Sequence, residues 1–331
     1  MSASLSSGSA PRSTTAASMA AAGLPHSAAR IVVVGSLNMD VVLNLACAPE
    51  AGETVSADGL HYLPGGKGGN QAVACARHGA QVTLFGCVGR DHHGHTLRQA
   101  LLGDGVDVQH VSEQEGVPTG AAIIMVEANG QNRICVVPGA NALLQLQAET
   151  VLNVLAQADF LVLQFETPAA VVEQALQAAK SSGCLVVLNP SPVRQVPDAW
   201  WPLIHTLVVN EHEAAAFSGL TVDNREAAEQ AARAMLQRGV HQVVVTLGAH
   251  GAVAFAGNEV SYHPAPVVPV VDTTAAGDTF LGAMVTRLAE GSSLAEAVPW
   301  GIRAASLCIG KAGAQPSIPT RAEVEALASQ S

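Results

Sequence analysis

Residues 271–280 read Val-Asp-Thr-Thr-Ala-Ala-Gly-Asp-Thr-Phe, with only small residues between Asp272 and a second carboxylate, Asp278. A helical pattern runs on from Thr279 to Leu288. It places Asp278 in a first turn, where the backbone N–H groups have no partner inside the helix. Those donors and the helix dipole make a site for an anion such as a phosphate. Small residues let a substrate approach the backbone closely. A carboxylate at that point can accept a proton from a nearby hydroxyl. Taken alone, the stretch reads more readily as an ordinary helix start after a turn.

Other groups have types and spacings that fit a polyol or a phosphate. Asn38 and Asp40 alternate with apolar Leu37, Met39 and Val41, so they share one face of a strand. An amide and a carboxylate placed in this way can hydrogen-bond adjacent sugar hydroxyls, although a half-exposed strand shows the same alternation. Gly65, Gly66, Gly68 and Gly69 surround Lys67 and precede Asn70 and a helical stretch, 71–78. Such a loop brings backbone against a ligand at a helix start. It is not a P-loop, because Gly68 follows Lys67 where Ser or Thr would be needed. His92, His93 and His95 cluster, but no carboxylate or Cys has suitable helical spacing, and a solvated loop fits better than a metal site.

These residues need a scaffold. Apolar runs at 31–34, 82–85, 160–163, 184–188, 206–209 and 242–246 alternate with helical patterns such as 169–179 and 227–238. That order predicts an α/β protein with a parallel sheet covered on both faces. Ligands in such sheets bind beyond the carboxyl ends of the strands. Glu166, Asn189, Asn210, Glu213 and the loop 246–251 all fall just past predicted strand ends. No GxGxxG follows the first strand, which argues against a nicotinamide site. Two β-rich runs, 119–127 and 133–137, flank Asn129-Gly130 and predict a hairpin, either a lid or a subunit contact.

The composition limits the possible roles. A chain of 331 residues with 49% hydrophobic and 13% charged residues has ample core. Its net charge of −11 argues against non-specific nucleic-acid binding. No apolar run is long enough for a membrane span. Six scattered cysteines without a CxxC pair suit a reducing compartment, hence a cytoplasmic location. Residues 1–29 are Ser/Ala-rich, lack acidic residues and read as a disordered extension.

Residues 65–70, Asn210-Glu-His-Glu213 and Asp272 to Asp278 together resemble the motifs of the ribokinase-like (PfkB) carbohydrate kinases. Gly35-Ser-Leu-Asn-Met-Asp40, Gln164-Phe-Glu166 and Gly313-Ala-Gln-Pro-Ser317 extend the resemblance, which runs from about Ile31 to the C-terminus. It implies a three-layer α/β sandwich over residues 30–331, with a mostly parallel central sheet and a small β lid around 119–137. It also implies ATP-dependent phosphorylation of D-ribose at its 5-hydroxyl. Another pentose, 2-deoxyribose or a nucleoside would fit the same motifs, and a non-catalytic sugar-binding protein is a more distant alternative.

By the same resemblance, Asp278 is the base, and the N–H groups of Ala275, Ala276, Gly277 and Asp278 form an anion hole. Asn38, Asp40, Gly66, Lys67, Gly68, Gly69, Asn70 and Glu166 hold the sugar. ATP lies along Asn210, Thr246, Leu247, Gly248, Ala249, His250, Gly251, Gly277 and Asp278, with Ile302 near the adenine. Glu213 organises Mg²⁺ through water. Asp272, Thr274, Cys308, Lys311, Gly313 and Ser317 match an activating K⁺ site, several of them through backbone carbonyls. A homodimer formed through the lid is implied as well. Three positions depart from the family pattern: Gly69 where Ala is common, Arg90 in place of an acid, and Ile302 where His or Asn is expected.

Overall fold

The computed structural model describes residues 28–128 and 132–328. Most of the Ser/Ala-rich extension and the Asn129-Gly130 turn lie outside the described residues. The chain begins β1 (Arg30–Val34), β2 (Asn38–Leu45), β3 (Gly59–Gly65), α1 (Lys67–Arg77), β4 (Gln81–Gly89), α2 (His92–Gly103) and β5 (Val111–Gln114). Next come β6 (Gly120–Glu127), β7 (Asn132–Val137), α3 (Ala148–Leu155), β8 (Phe160–Leu163), α4 (Ala169–Ser182) and β9 (Leu185–Leu188). Then follow β10 (Thr206–Asn210), α5 (Glu211–Ser218), α6 (Arg225–Gln237), β11 (Gln242–Thr246), β12 (Ala252–Ala256) and β13 (Glu259–His263). Three helices close the chain: α7 (Ala276–Ala289), α8 (Leu294–Cys308) and α9 (Arg321–Ala328).

Nine strands form the central sheet in the order β13-β12-β11-β10-β9-β8-β1-β4-β5. From β11 to β5 neighbouring strands pair in parallel, while β12 and β13 return antiparallel at one edge. Both faces are covered, and β1 shows why its apolar run is continuous. Val32 and Val34 pack with α3 to α6, whereas Ile31 and Val33 pack with α1, α2, α7 and α8. Successive side chains point to opposite faces, so both sets must be apolar.

A second sheet, in the order β3-β2-β6-β7, stands apart from the first. The hairpin predicted around 119–137 is half of it: β6 pairs antiparallel with β7 but parallel with β2, and β2 pairs antiparallel with β3. Two other expectations change. The helix expected from Gln71 begins at Lys67, inside the glycine run. The histidine segment expected to be a loop opens α2, where Asp91 caps the helix by accepting from the Gly94 N–H at 2.8 Å. His93 there stacks on Tyr62 of β3, with ring centroids 5.6 Å apart.

Candidate active site

The site is assembled at the carboxyl ends of the central strands. Helices α1 and α7 cross there in backbone contact, because a Cβ on Gly282 would lie 2.4 Å from the Ala74 Cβ and 2.9 Å from the Cys75 nitrogen. One turn before Gly282, this packing sets Asp278 against the start of α1. Asn70 Nδ2 donates to Asp278 Oδ2 at 3.0 Å, and Gln71 Nε2 donates to Oδ1 at 2.8 Å. Asp278 is buried. Gly277, one residue earlier, is exposed, with open space where a Cβ would be.

Ala275, the residue before α7, adopts φ 60°, an uncommon conformation for a residue with a Cβ. The Ala276 N–H donates to the Thr273 carbonyl at 3.2 Å. The N–H groups of Ala275, Gly277 and Asp278 have no backbone acceptor. Of the four candidate anion-hole groups, Ala276 is therefore the one already engaged. Local strain held at a helix start of this kind is a common feature of ligand sites.

Asn38 and Asp40 both lie on β2, buried on one face as the alternation predicted. Asn141 orients the first, donating from Nδ2 to Asn38 Oδ1 at 2.8 Å and exchanging two hydrogen bonds with the Leu37 backbone. Burial, reinforced by the nearby charges of Glu166 and Asp278, raises the Asp40 pKa from 3.8 to about 7. Glu166 accepts from the Ser36 hydroxyl at 2.5 Å and from the Lys67 N–H at 3.2 Å. Burial works against the Lys67 ammonium, but Asp278, Glu166 and Glu213 outweigh it and hold that pKa above the ordinary value. Sequence reading missed Ser36, Gln71, Asn141 and Gln164 as site residues. Ser36, Gln71 and Gln164 sit inside or beside motifs that were noticed, whereas Asn141 carries no local signal.

On the other side of Asp278, Asn210 and Thr246 are register partners at the ends of β10 and β11. Asn210 caps α5 in a reciprocal box. Its Oδ1 accepts from the Glu213 N–H at 2.8 Å, while Glu213 Oε2 accepts from the Asn210 N–H at 3.1 Å. Asn189 Nδ2 also reaches Glu213 Oε2, at 3.5 Å. Glu213 is thus a capping residue in its own right, with Oε1 left over. In the adjacent loop, the side chain of Leu247 is buried and residues 248–250 are exposed. Gly251 is needed for space as well as for its φ of 94°, since a Cβ there would lie 2.0 Å from the His263 carbonyl. Ile302 is buried on α8, which packs on β12, the strand leaving this loop.

Most of the remaining sequence-predicted residues form a clamp beside the start of α7. Asp272 Oδ1 accepts from the Thr274 N–H and hydroxyl at 2.9 and 2.6 Å, and Oδ2 accepts from the Gly313 N–H at 2.9 Å. Burial alone would raise the Asp272 pKa, but these three hydrogen bonds bring it below the ordinary value. The Cys308 thiol lies 3.7 Å from the Thr274 carbonyl and 3.0 Å from the Ser317 hydroxyl. Lys311 turns its ammonium outward to Glu323 at 2.7 Å.

The chain belongs to the pfkB family of carbohydrate kinases, whose model matches residues 28–321. Its similarity to ribokinases is more specific. It is 39% identical over 294 residues to the Haemophilus influenzae ribokinase, covering 88% of this chain and 96% of that protein. The Mus musculus ribokinase is 34% identical, with 92% of this chain and 98% of that protein covered. The structure of Arabidopsis thaliana ribokinase complexed with ribose and ATP superimposes with a TM-score of 0.85 at 35% identity. That match covers 91% of this chain and 99% of the other.

Proposed function

We propose that this chain is an ATP-dependent kinase of D-ribose that phosphorylates the 5-hydroxyl to give ribose 5-phosphate. The observation that carries the reading is the Asp278 carboxylate, buried at the start of α7 in the grip of Asn70 and Gln71. It faces the same small space as Asp40 and Glu166, whose charges act on one another. In this reading Asp278 takes the proton of the sugar's primary hydroxyl as that oxygen attacks the γ-phosphorus of ATP, whose bond to the β,γ-bridging oxygen breaks to release ADP. The N–H groups of Ala275, Gly277 and Asp278 receive the negative charge that develops on the transferred group. Transfer of this kind depends mainly on positioning and charge stabilisation.

Asn38, Asp40, the α1 start from Gly66 to Asn70 and Glu166 hold the other sugar hydroxyls. Asn210, residues 246–251 and Ile302 line the nucleotide side. Two ions fit the donors present. The free Oε1 of Glu213 suits a water-mediated Mg²⁺, since magnesium keeps several of its waters. The hard oxygens of the Asp272–Thr274 clamp suit K⁺. When bound, Mg²⁺ neutralises phosphate charge. Exposed Ile134 and Val136, which share the Asp40 face of the lid sheet, support dimerisation through it. The free cysteines are consistent with a cytoplasmic location. Among the described residues no helix is long and apolar enough to cross a membrane.

The direct test is coupled ADP release with Mg-ATP and ribose, 2-deoxyribose, fructose or adenosine, each with and without K⁺. Strong turnover on ribose, raised by K⁺, is the expected result. Turnover on another acceptor alone would keep the mechanism and move the specificity, and silence with ribose still bound would point to a sugar-binding protein.

Asp40 adds a prediction about pH. With a folded-state pKa near 7 against an ordinary 3.8, the native protein retains a proton that the unfolded chain releases. Stability is therefore fully present below about pH 4 and is lost as pH rises through 7, by roughly 4 kcal/mol. Asp40→Asn should raise the melting temperature of the sugar-free protein at pH 8 while sharply raising the KM for ribose. Unchanged melting at pH 8 would show that the buried carboxylate costs nothing. The KM of the unsubstituted protein should also rise as pH falls below 7, where Asp40 can no longer accept as a carboxylate.

A further inference from the structure

The hydrogen bonds on Asp278 extend beyond its immediate neighbours. Gln71 Nε2 donates to Asp278 Oδ1 at 2.8 Å, and Gln164 Nε2 donates to Gln71 Oε1 at 2.6 Å. Both glutamines are fully buried. Gln164 directly follows β8, two residues before Glu166, and its Oε1 has no partner. We propose that Gln71 and Gln164 are positioning residues for phosphoryl transfer, forming a directional amide relay that keeps the Asp278 carboxylate aimed at the sugar hydroxyl. This inference rests on the reading of Asp278 as the base.

The relay has one workable direction. An ionised carboxylate only accepts hydrogen bonds, so Gln71 must turn its NH₂ toward Asp278. The Gln71 oxygen then points the other way and must meet a donor, which Gln164 Nε2 supplies. Flipping either amide alone brings two oxygens together. Flipping both sets the Gln71 oxygen against the Asp278 carboxylate. The cost of this arrangement falls on the last atom, since Gln164 Oε1 ends the chain buried and unpaired. A buried unpaired group usually has a reason beyond stability, and apolar side chains of similar shape would fill the same space without it.

The backbone is shaped around the relay. A Cβ on Gly35 would lie 2.2 Å from Gln164 Oε1 and 2.6 Å from the Gly68 Cα. The missing side chain at the end of β1 makes room for the amide. Asn70 holds the other carboxylate oxygen, but it is also a proposed sugar contact and can change partners when sugar enters. The two glutamines belong to the part of the grip that stays in place.

The titratable groups facing this network are Asp278 on α7, Asp40 on β2, Lys67 on α1 and Glu166 after β8. The test therefore compares each variant with the unsubstituted protein at every pH. Gln164→Glu preserves size, but its carboxyl donates to Gln71 only when protonated. Gln164→Met preserves volume with no donor at any pH. The expected result for Gln164→Glu is a kcat close to the unsubstituted value at the acid end, falling ~10–100-fold below it as pH rises. Gln164→Met should show a loss that does not vary with pH, at little-changed sugar KM. Should Gln164→Glu fail to fold, Gln71→Met carries the test, with an expected ~10–100-fold loss in kcat. Equal, pH-independent losses in both Gln164 variants would reduce the relay to packing and overturn it, as would an unchanged kcat in the variants. Silence of the unsubstituted protein on every sugar would instead overturn the reading of Asp278 and the relay with it.

Discussion

Asp278→Asn should bind ribose and ATP with near-normal affinity yet turn over ~10²–10⁴-fold more slowly, or more slowly still. The substitution preserves shape, and the site has no second carboxylate placed in the same way. Asp40 and Glu166 share the space but sit on β2 and after β8, away from the first turn of α7. The loss should therefore fall on kcat. The new amide also disturbs its holders. Asn70 and Gln71 both donate to the carboxylate, and one of them would face an NH₂ group instead. Single-turnover kinetics with calorimetric titration of sugar and nucleotide separates the effects. Near-normal turnover would sink the assignment of the base.

Gly68→Ala should be strongly disruptive, and Gly69→Ala the mildest methyl in the glycine run. A Cβ on Gly68 would lie 2.5 Å from the Gly35 carbonyl carbon and 2.6 Å from both the Gly35 Cα and the Ser36 nitrogen. All three are backbone atoms at the end of β1, and none can rotate away. Overpacking of this kind costs about 1–3 kcal/mol and occasionally more. The displacement would also move Ser36, which donates to Glu166, so the ribose KM should rise as well. At Gly69 the nearest atoms are the ends of two side chains, Gln315 Nε2 and Leu37 Cδ2, each at 3.0 Å. A shift of a few tenths of an ångström accommodates them, at under about 1.5 kcal/mol. Thermal melts and ribose KM values of the two variants provide the check. Equal behaviour would mean that the α1–β1 contact does not set the site.

The inner parallel strands are legible because doubly covered strands are continuous apolar runs, as at 160–163 and 242–246, whereas their order across the sheet and the antiparallel edge β12–β13 are not. The candidate base stands out only in company, since Ala-Ala-Gly-Asp at a helix start reads alone as an ordinary turn and gains meaning beside residues 65–70 and 210–213. Other features depend on distance, which residue type does not encode. The start of α1 at Lys67 could not be read from propensity. Glycine disfavours helix interiors, and the reason for glycine there is that a Cβ on Gly68 would lie 2.6 Å from the Gly35 Cα. Asn141 lies 103 residues from the Asn38 side chain that it orients, with nothing nearby to mark it. The second sheet was half visible. The Asn-Gly turn marks β6 and β7 and the Asn38/Asp40 alternation marks β2, but nothing in the sequence marks β3 or the pairing of the two halves.

That second sheet has a consequence for how specificity can be inherited or exchanged. Its strands come from two separate stretches of chain, Asn38–Gly65 and Gly120–Val137, with α1, β4, α2 and β5 of the main body between them. The stretches meet in register, Asn38 opposite Gly120, where a Cβ would lie 2.4 Å from Asn38 Oδ1. A graft of one stretch from a relative with a different acceptor would bring a strand cut for another neighbour. Exchange of acceptor preference between relatives therefore needs two coordinated crossovers, and chimaeras made with one should lose sugar binding before they change it.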